Sequence, residues 1–398
     1  MDTKHLIRQV FERLIRLLLT GSGYFTSITI LLIVLFLFRD STGLFREPVI
    51  ESGYELVINE RNPVHRLDPV QIMKIFDGDI TNWKEVGGPD LPITVFRFTD
   101  LTEDYKGVNP LTAEEITRET DRLIRTTPGI IGFVSKKQDL PDESYVVNTG
   151  NISLADFFAG KEWYPTASPA PQFGLLPLLL GTLWVSLGAI LLALPFALSV
   201  AIYMAELADK RLRNILKPVI ELLAGIPSVV YGFFGLVVIV PMLQKLFRLP
   251  VGETALAGSI ILGIMALPTI ITVAEDALRN TPKSMKEASM ALGATHWQTI
   301  YKVIIPYSRS GIASAIVLGI GRAIGETMAV LMVTGNAAVI PHTFLEPVRT
   351  IPATIAAELG EAAAGSAHFE ALFALGAVLF LITLGISVAV EKISALKY

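Results

Sequence analysis

Cysteine is absent from the 398 residues, and charged residues make up only 18% against 52% apolar. Without cysteine there is no disulfide framework, no thiolate metal site and no cysteine nucleophile. A soluble globule carries about 25% charged residues, so the shortage of charge excludes an ordinary water-soluble fold. Disorder is excluded by the opposite argument, because it needs low hydrophobicity. The net charge is −4, from 33 basic and 37 acidic side chains, which leaves no basic excess for nucleic acid. The histidines (His5, His65, His296, His342, His368) are scattered, without metal-ligand spacing. What the chain has is long apolar sequence. The expectation is an α-helical polytopic membrane protein with a water-exposed part.

About 20 apolar residues cross a bilayer core. Leu17 to Phe38 is 22 residues without charge, between Arg16 and Arg39. Trp163 to Ala205 is 43 such residues, but Pro165, Pro169 and Pro171 make its start a linker. A helix is predicted there from near Phe173. Leu222 to Gln244, Thr254 to Ala274 and Ala371 to Val390 supply 23, 21 and 20 residues. A further stretch, Ser310 to Thr334, is apolar save for Arg322 and Glu326. Six spans are expected.

Lysine and arginine near the span ends set the orientation. Lys4, Arg8, Arg13 and Arg16 precede the first span. Lys210, Arg211, Arg213 and Lys217 follow the second, and Arg279, Lys283, Lys286, Lys302 and Arg309 lie between the fourth and fifth. The loops of opposite parity hold only Lys245, Arg248 and Arg349. Both termini are therefore expected in the cytoplasm. The first span is too long and lacks the cleavage signature of a signal peptide, so a retained anchor is expected. Before it, Leu6, Ile7, Val10, Phe11 and Leu14 suit either a helix on the inner leaflet or a polar start to the span.

Residues 40–172 form one long hydrophilic insert on the outer side, with net charge −9 against +5 for the remainder. It mixes strand-like runs (Tyr54 to Ile58, Ile93 to Phe98, Ile130 to Val134) with helix-like ones (Pro69 to Phe76, Ala113 to Arg125). A small α/β domain is expected. The division is an anchor segment over 1–40, the α/β insert over 41–165, and a membrane core over 166–398.

The cytoplasmic segment 281–306 carries the most information. Thr281 can cap a helix with Pro282 at its first position, and Gly293 supplies a left-handed stop. Met285, Ala288, Ser289 and Leu292 fall on one face between them. Thr295 can cap a second helix that ends before Pro306. The result is either a rigid knob or an ordinary helical hairpin.

Glu287-Ala288-Ser289, Gly293 and Val303-Ile304-Ile305-Pro306 resemble the E-A-A-x3-G-x9-I-x-L-P loop of binding-protein-dependent ABC importer permeases. Ser289, Val303 and Ile305 depart mildly from it. In that family the turn docks on a separate ATPase, which makes Glu287, Ala288, Gly293 and Pro306 the implied coupling residues. Two further stretches, Leu223 to Gly235 and Gly321 to Val330, resemble the phosphate permeases of the PstC type, as does Phe173 to Thr182. The resemblance covers residues 155–398. It implies a five-helix permease core beside the anchor, with inorganic phosphate as substrate. It also implies a second permease subunit of the PstA type, an ATPase dimer, an extracytoplasmic phosphate-binding protein and surrounding membrane lipid. No Gly-x4-Gly-Lys-Ser/Thr loop is present, so ATP and magnesium are expected on the partner ATPase, with no cofactor and no enzymatic activity here.

Arg322 and Glu326 lie four residues apart in an apolar run. A mid-bilayer arginine costs about 2.5–3.5 kcal/mol on insertion scales, which makes such a charge functional by default. The pair can neutralise itself until an oxyanion competes for the guanidinium. Alternatively it fastens two helices, with Gly321 and Gly325 permitting close packing. Pro227 is expected to interrupt the third span, making Ser228 the start of a half-helix facing the anion path, or else merely to kink it. In the insert, Asn62-Pro63, Gln71 to Gly78, Ile80 to Gly88 and Thr127 to Val134 resemble parts of the periplasmic phosphate-binding protein. Where that family has a Ser-Gly-Thr cradle, this chain reads Phe98-Thr99-Asp100-Leu101-Thr102. A lobe that docks the true binding protein, or a passive spacer, fits that departure. Rivals for the whole are an importer of another oxyanion, such as molybdate or sulfate, and a non-transporting phosphate-sensing scaffold.

Overall fold

In the computed structural model, residues 3–46, 50, 53–97, 113–136 and 144–395 are described. Phe98 to Thr102, the departure from the phosphate cradle, lie outside them. Helix α1 runs unbroken over Thr3–Ser41, beyond the expected Leu17 to Phe38, because no proline interrupts it. Its 39 residues extend about 58 Å, nearly twice a hydrocarbon core, so the helix must tilt or leave the bilayer. A mixed α/β region follows, and then α5 (Leu176–Ile202) begins the membrane core. Among the described residues, five helices are long and apolar enough to cross a membrane, and a bent pair makes up to six.

Three sequence expectations need correction. Phe173 belongs to a short strand, and α5 starts at Leu176, with Pro177 in its first turn. The third span starts at Ser228 rather than Leu222, because Ile226 and Pro227 are extended. Residues Lys210–Gly225 form a separate helix, α6, with Ile220 as its one buried residue. Beyond Pro227 the span runs through α7 (Ser228–Phe234), a wide π turn and α8 (Val240–Phe247). The fourth span is α9 (Ala255–Arg279). The fifth is not one helix. A segment through α11 (His296–Thr299) and α12 (Ile305–Tyr307) bends by 70° into α13 (Arg309–Gly325). After a break at Glu326 and Thr327, α14 (Met328–Val333) resumes. Here α10 is Lys283–Ala291, α15 is Ile351–Glu358, and α16 is Ala367–Ala395.

The α/β region matches the expected runs. Strands β1 (Tyr54–Asn59), β3 (Thr94–Arg97), β4 (Ile130–Ser135) and β5 (Ser144–Val146) form one sheet in the order β3-β4-β1-β5. Strand β4 is central and buried over Ile130–Val134, which explains its continuous apolar run. Helices α2 (Pro69–Phe76) and α3 (Ala113–Thr126) accompany the sheet. Trp83 is fully buried and its indole N–H donates to the Gly129 carbonyl at 2.9 Å. Two residue pairs, β2 (Arg66–Leu67) with β6 (Asn148–Thr149) and β7 (Trp163–Tyr164) with β8 (Gln172–Phe173), complete the strands, and α4 (Leu154–Ala159) lies between them.

This region is fixed to the helical core. Phe157, Trp163 and Phe173 share one apolar cluster with Leu44 beyond α1, Leu178 of α5, Ile351 of α15 and Leu372 and Leu375 of α16. Within the junction lies a buried carboxylate, Glu358. Trp163 donates to it at 3.0 Å, Arg349 forms an ion pair with it, and His368 Nε2 lies 2.9 Å away. Burial pushes the Glu358 carboxyl up, but the hydrogen bonds from His368 and Trp163 and the Arg349 charge outweigh burial and hold it below its usual range. A depressed carboxyl stabilises the fold above its unfolded pKa, about 4.3, and loses that contribution as pH falls through the folded value. In detergent, melting temperature should therefore fall as pH drops from 7 to below 4. Glu358→Gln should melt lower at pH 7, by the equivalent of about 1–3 kcal/mol, and lose less over the same range. Scanning fluorimetry checks both.

Candidate functional site

Two places hold the sequence-predicted residues. The first lies where α7, α9 and α13 meet. Helix α13 packs tightly on α9 because it presents glycine: a Cβ on Gly311 stands 2.4 Å from Ala277 Cβ, and one on Gly319 stands 2.6 Å from Ile270 Cγ1. Gly321 and Gly325, expected to permit that packing, instead face open space. The close approach brings Arg322, in the last turn of α13, against α9, where its Nη1 donates to Thr269 Oγ1 at 3.1 Å. Tyr231 of α7 interacts electrostatically with Arg322, and its hydroxyl donates to the Leu223 carbonyl at 2.8 Å across the Pro227 break.

The expected Arg322–Glu326 pair is not formed. Helix α13 ends at Gly325, Glu326 is extended (φ −72°, ψ 130°), and no ion pair within 4.0 Å joins the two among the described residues. Both side chains are half-buried. Four residues share a helical face only while the helix continues, and here it stops. Ser228 is the first residue of α7, and no hydrogen bond joins it to Arg322 or Glu326 among the described residues. Gly232 lets α14 approach α7, with a Cβ there 2.8 Å from Met332 Sδ and 3.0 Å from Ala329 Cα.

Sequence reasoning missed Thr269 and Tyr231. Thr269 is one of several hydroxyl side chains in an apolar run, with Ser259 and Thr272, and gave no periodic signal. Glu275 was missed too. It is 1% exposed and pairs with Lys217 at 3.4 Å and Arg279 at 3.3 Å, joining α6 to the C-terminal end of α9.

The second place is the turn between α10 and α11. Pro282 occupies the cap position, one residue later than expected, since the Thr281 hydroxyl lies 3.1 Å from Ser308 Oγ instead. Gly293 has φ +87°, and Gly293 and Ala294 donate backbone N–H to Met290 and Ser289. That closes α10 with a left-handed residue, as the sequence predicted. Thr295 caps α11 with Gln298 in a reciprocal box. The helical path does not end before Pro306: a wide π turn over Ile300–Ile304 leads into α12, which contains it. The knob is anchored by Lys286 on Glu206 and by Ser289 on Thr299 at 3.0 Å. None of α10 is buried, and Glu287, Ala288 and Pro306 are exposed. Leu292 is 90% exposed, beside the exposed Met285, Met290, Trp297 and Tyr301.

The binding-protein-dependent transport system inner membrane component family matches residues 197–393. The chain is 41% identical over 241 residues to a probable ABC transporter permease protein, YqgH of Bacillus subtilis, covering 61% of this chain and 77% of the relative. The chain belongs to this permease family. The permease is also 38% identical over 246 residues to the phosphate transport system permease protein PstC of Mesorhizobium japonicum, covering 57% of this chain and 74% of that one. PstC of Xylella fastidiosa is 36% identical over 251 residues, covering 58% and 76%. Residues 37–180 match a second family, a periplasmic-binding-protein superfamily domain. The permease thus carries a binding-protein-like region ahead of its membrane core, and its apolar helices make it a multi-pass membrane protein.

Nothing lies within 4 Å of a Cβ on Gly293, so its φ alone restricts substitution. Valine there forces a left-handed β-branched residue, at about 1–2 kcal/mol or more. Gly293→Val should speed amide exchange across 283–299 while leaving α9 and α13 protected. Exchange mass spectrometry measures both.

Proposed function

We propose that this permease forms half of a path for inorganic phosphate through the cytoplasmic membrane, driven by a separate ATPase. The observation that carries the reading is Arg322, a guanidinium set in an apolar span and held by a neutral hydroxyl rather than a carboxylate. A mid-span arginine that remains cationic is suited to a planar, bidentate oxyanion. The named PstC relatives support phosphate over molybdate or sulfate. Open space beside Gly225, Gly321 and Gly325 fits a passage better than a helix seam. Glu326 tunes the arginine, and Ser228 opens the half-helix on the same path.

Both termini are cytoplasmic in this reading, and the α/β region lies outside. The exposed apolar side chains around Leu292, with Glu287, Ala288, Gly293 and Pro306, dock the ATPase, which supplies ATP and magnesium chemistry that this chain lacks. One knob per chain implies a second permease subunit of the PstA type and two ATPase subunits. The domain division is the anchor over 1–40, the outer lobe over 41–165 and the permease over 166–398. The lobe, with a net charge of −8, orients an extracytoplasmic phosphate-binding protein over the mouth.

Vesicle uptake of labelled phosphate, dependent on co-expressed ATPase, tests the function. Arg322→Ala should lose roughly 10–100-fold in uptake, as one charge-assisted contact implies, with assembly intact. Arg322→Lys should be impaired as well, since lysine lacks the planar fork. Wild-type rates from both variants remove the arginine from the path. Gly293→Val should hydrolyse ATP without matching uptake.

The outer lobe should not capture phosphate. An acidic surface repels the anion, though salt screens this beyond about 8–10 Å. Titration of phosphate into the purified Arg322→Ala chain, which lacks the path arginine, should give binding of about 1 mM or weaker. A micromolar constant there means that the permease carries its own receptor.

A further inference from the structure

The geometry points to Thr269: we propose that its hydroxyl is the positioning residue that keeps the Arg322 guanidinium off Glu326 and open to the anion. This rests on reading Arg322 as part of the phosphate path. A carboxylate only four residues away is a strong rival for that guanidinium in a low-dielectric span. Yet the two make no ion pair, and Arg322 instead donates to Thr269 Oγ1 at 3.1 Å. A neutral acceptor engages one of five guanidinium donors and cancels none of its charge. Tyr231, on the neighbouring α7, already spends its hydroxyl proton on the Leu223 carbonyl. The open space beside Gly321 and Gly325 leaves room for an anion at the unused donors.

Thr269 can act in this way because α9 is held close against α13 where Gly319 meets Ile270, one residue from Thr269, and again where Gly311 meets Ala277 further along the helix. The same helix continues for ten residues, about 15 Å, to Arg279, and the docking knob begins at Lys283. A displacement of the knob transmitted along α9 therefore moves the anchor of the arginine. When the anchor is lost, Arg322 is free to swing onto Glu326, and the path loses its attraction for phosphate.

The test uses the complete complex, with ATPase, second permease subunit and binding protein, in proteoliposomes. Thr269→Val keeps the shape but removes the acceptor. It should raise the KM for phosphate about tenfold with Vmax changed less than about twofold, the size of one lost hydrogen bond. Thr269→Ser should retain wild-type KM. Adding Glu326→Gln to Thr269→Val should restore KM to within about threefold of wild type, because the rival carboxylate is gone. If valine does not assemble, Thr269→Ala carries the same expectations. Equal KM in the valine and wild-type complexes overturns the proposal, as does failure of serine to preserve KM or of Glu326→Gln to restore it. Arg322→Ala run alongside separates the two failures. Normal transport there removes the path reading itself, whereas loss there with a normal Thr269→Val removes only Thr269.

Discussion

The contact between α9 and α13 is close because glycine forms one side of it at two points. Gly311 meets Ala277 and Gly319 meets Ile270 at distances that admit no further atom. In lipid there is no hydrophobic force to press two helices together, so close van der Waals approach must supply the attraction. That approach sets the distance across which Arg322 reaches Thr269. It also lets Ser308, just ahead of α13, donate to the Ala277 carbonyl at 2.9 Å and tie the bent entry of the fifth span to α9. Wider spacing would leave the half-buried guanidinium without that hydrogen bond.

The broken spans follow from a different constraint. Backbone polar groups within a membrane need partners, and interruptions survive where protein supplies them. Pro227 has no N–H to give the Leu223 carbonyl, which instead accepts from the Tyr231 hydroxyl and the Ile226 N–H. At Glu326 and Thr327, α14 resumes after two residues and lies against α7, where Gly232 admits it. Both interruptions thus lie against another part of the same chain.

Much of this was legible in the sequence, and the failures have physical causes. Long charge-free runs gave the spans because the bilayer sets their length, so α9 and α16 fell close to their expected places. The α/β strands were legible through their alternating or continuous apolar runs, as in Ile130 to Val134. Gly293 and Thr295 were legible because a left-handed stop and a reciprocal cap each have few residue solutions. Helix ends inside apolar sequence were not. Leu222 to Gln244 reads as one run; its proline signalled the break before Ser228, but composition does not say that the part before it belongs to a separate helix, α6. For the same reason the four-residue spacing of Arg322 and Glu326 suggested a pair, which the stop at Gly325 prevents. Thr269, Glu275 and Glu358 act through partners 53, up to 58 and up to 195 residues away in sequence, a distance no local pattern can report.

The two ends of the core treat their neighbours in opposite ways. On the α/β side, Phe157, Trp163 and Phe173 bury against α5, α15 and α16, and Glu358 gathers donors from three separate segments. A buried carboxylate is costly unless every partner is present, so it specifies one docking geometry rather than merely adding adhesion. That region is therefore held in register by the chain itself. The α10–α11 turn is built the other way. Its backbone is fixed by Gly293, Thr295 and the Lys286–Glu206 pair, yet Leu292, Trp297 and Tyr301 stay uncovered. A rigid frame presenting aromatic and aliphatic side chains would lose little conformational entropy on association. A surface of that kind suits a partner that must push and release, whereas the Glu358 junction suits one that must never let go.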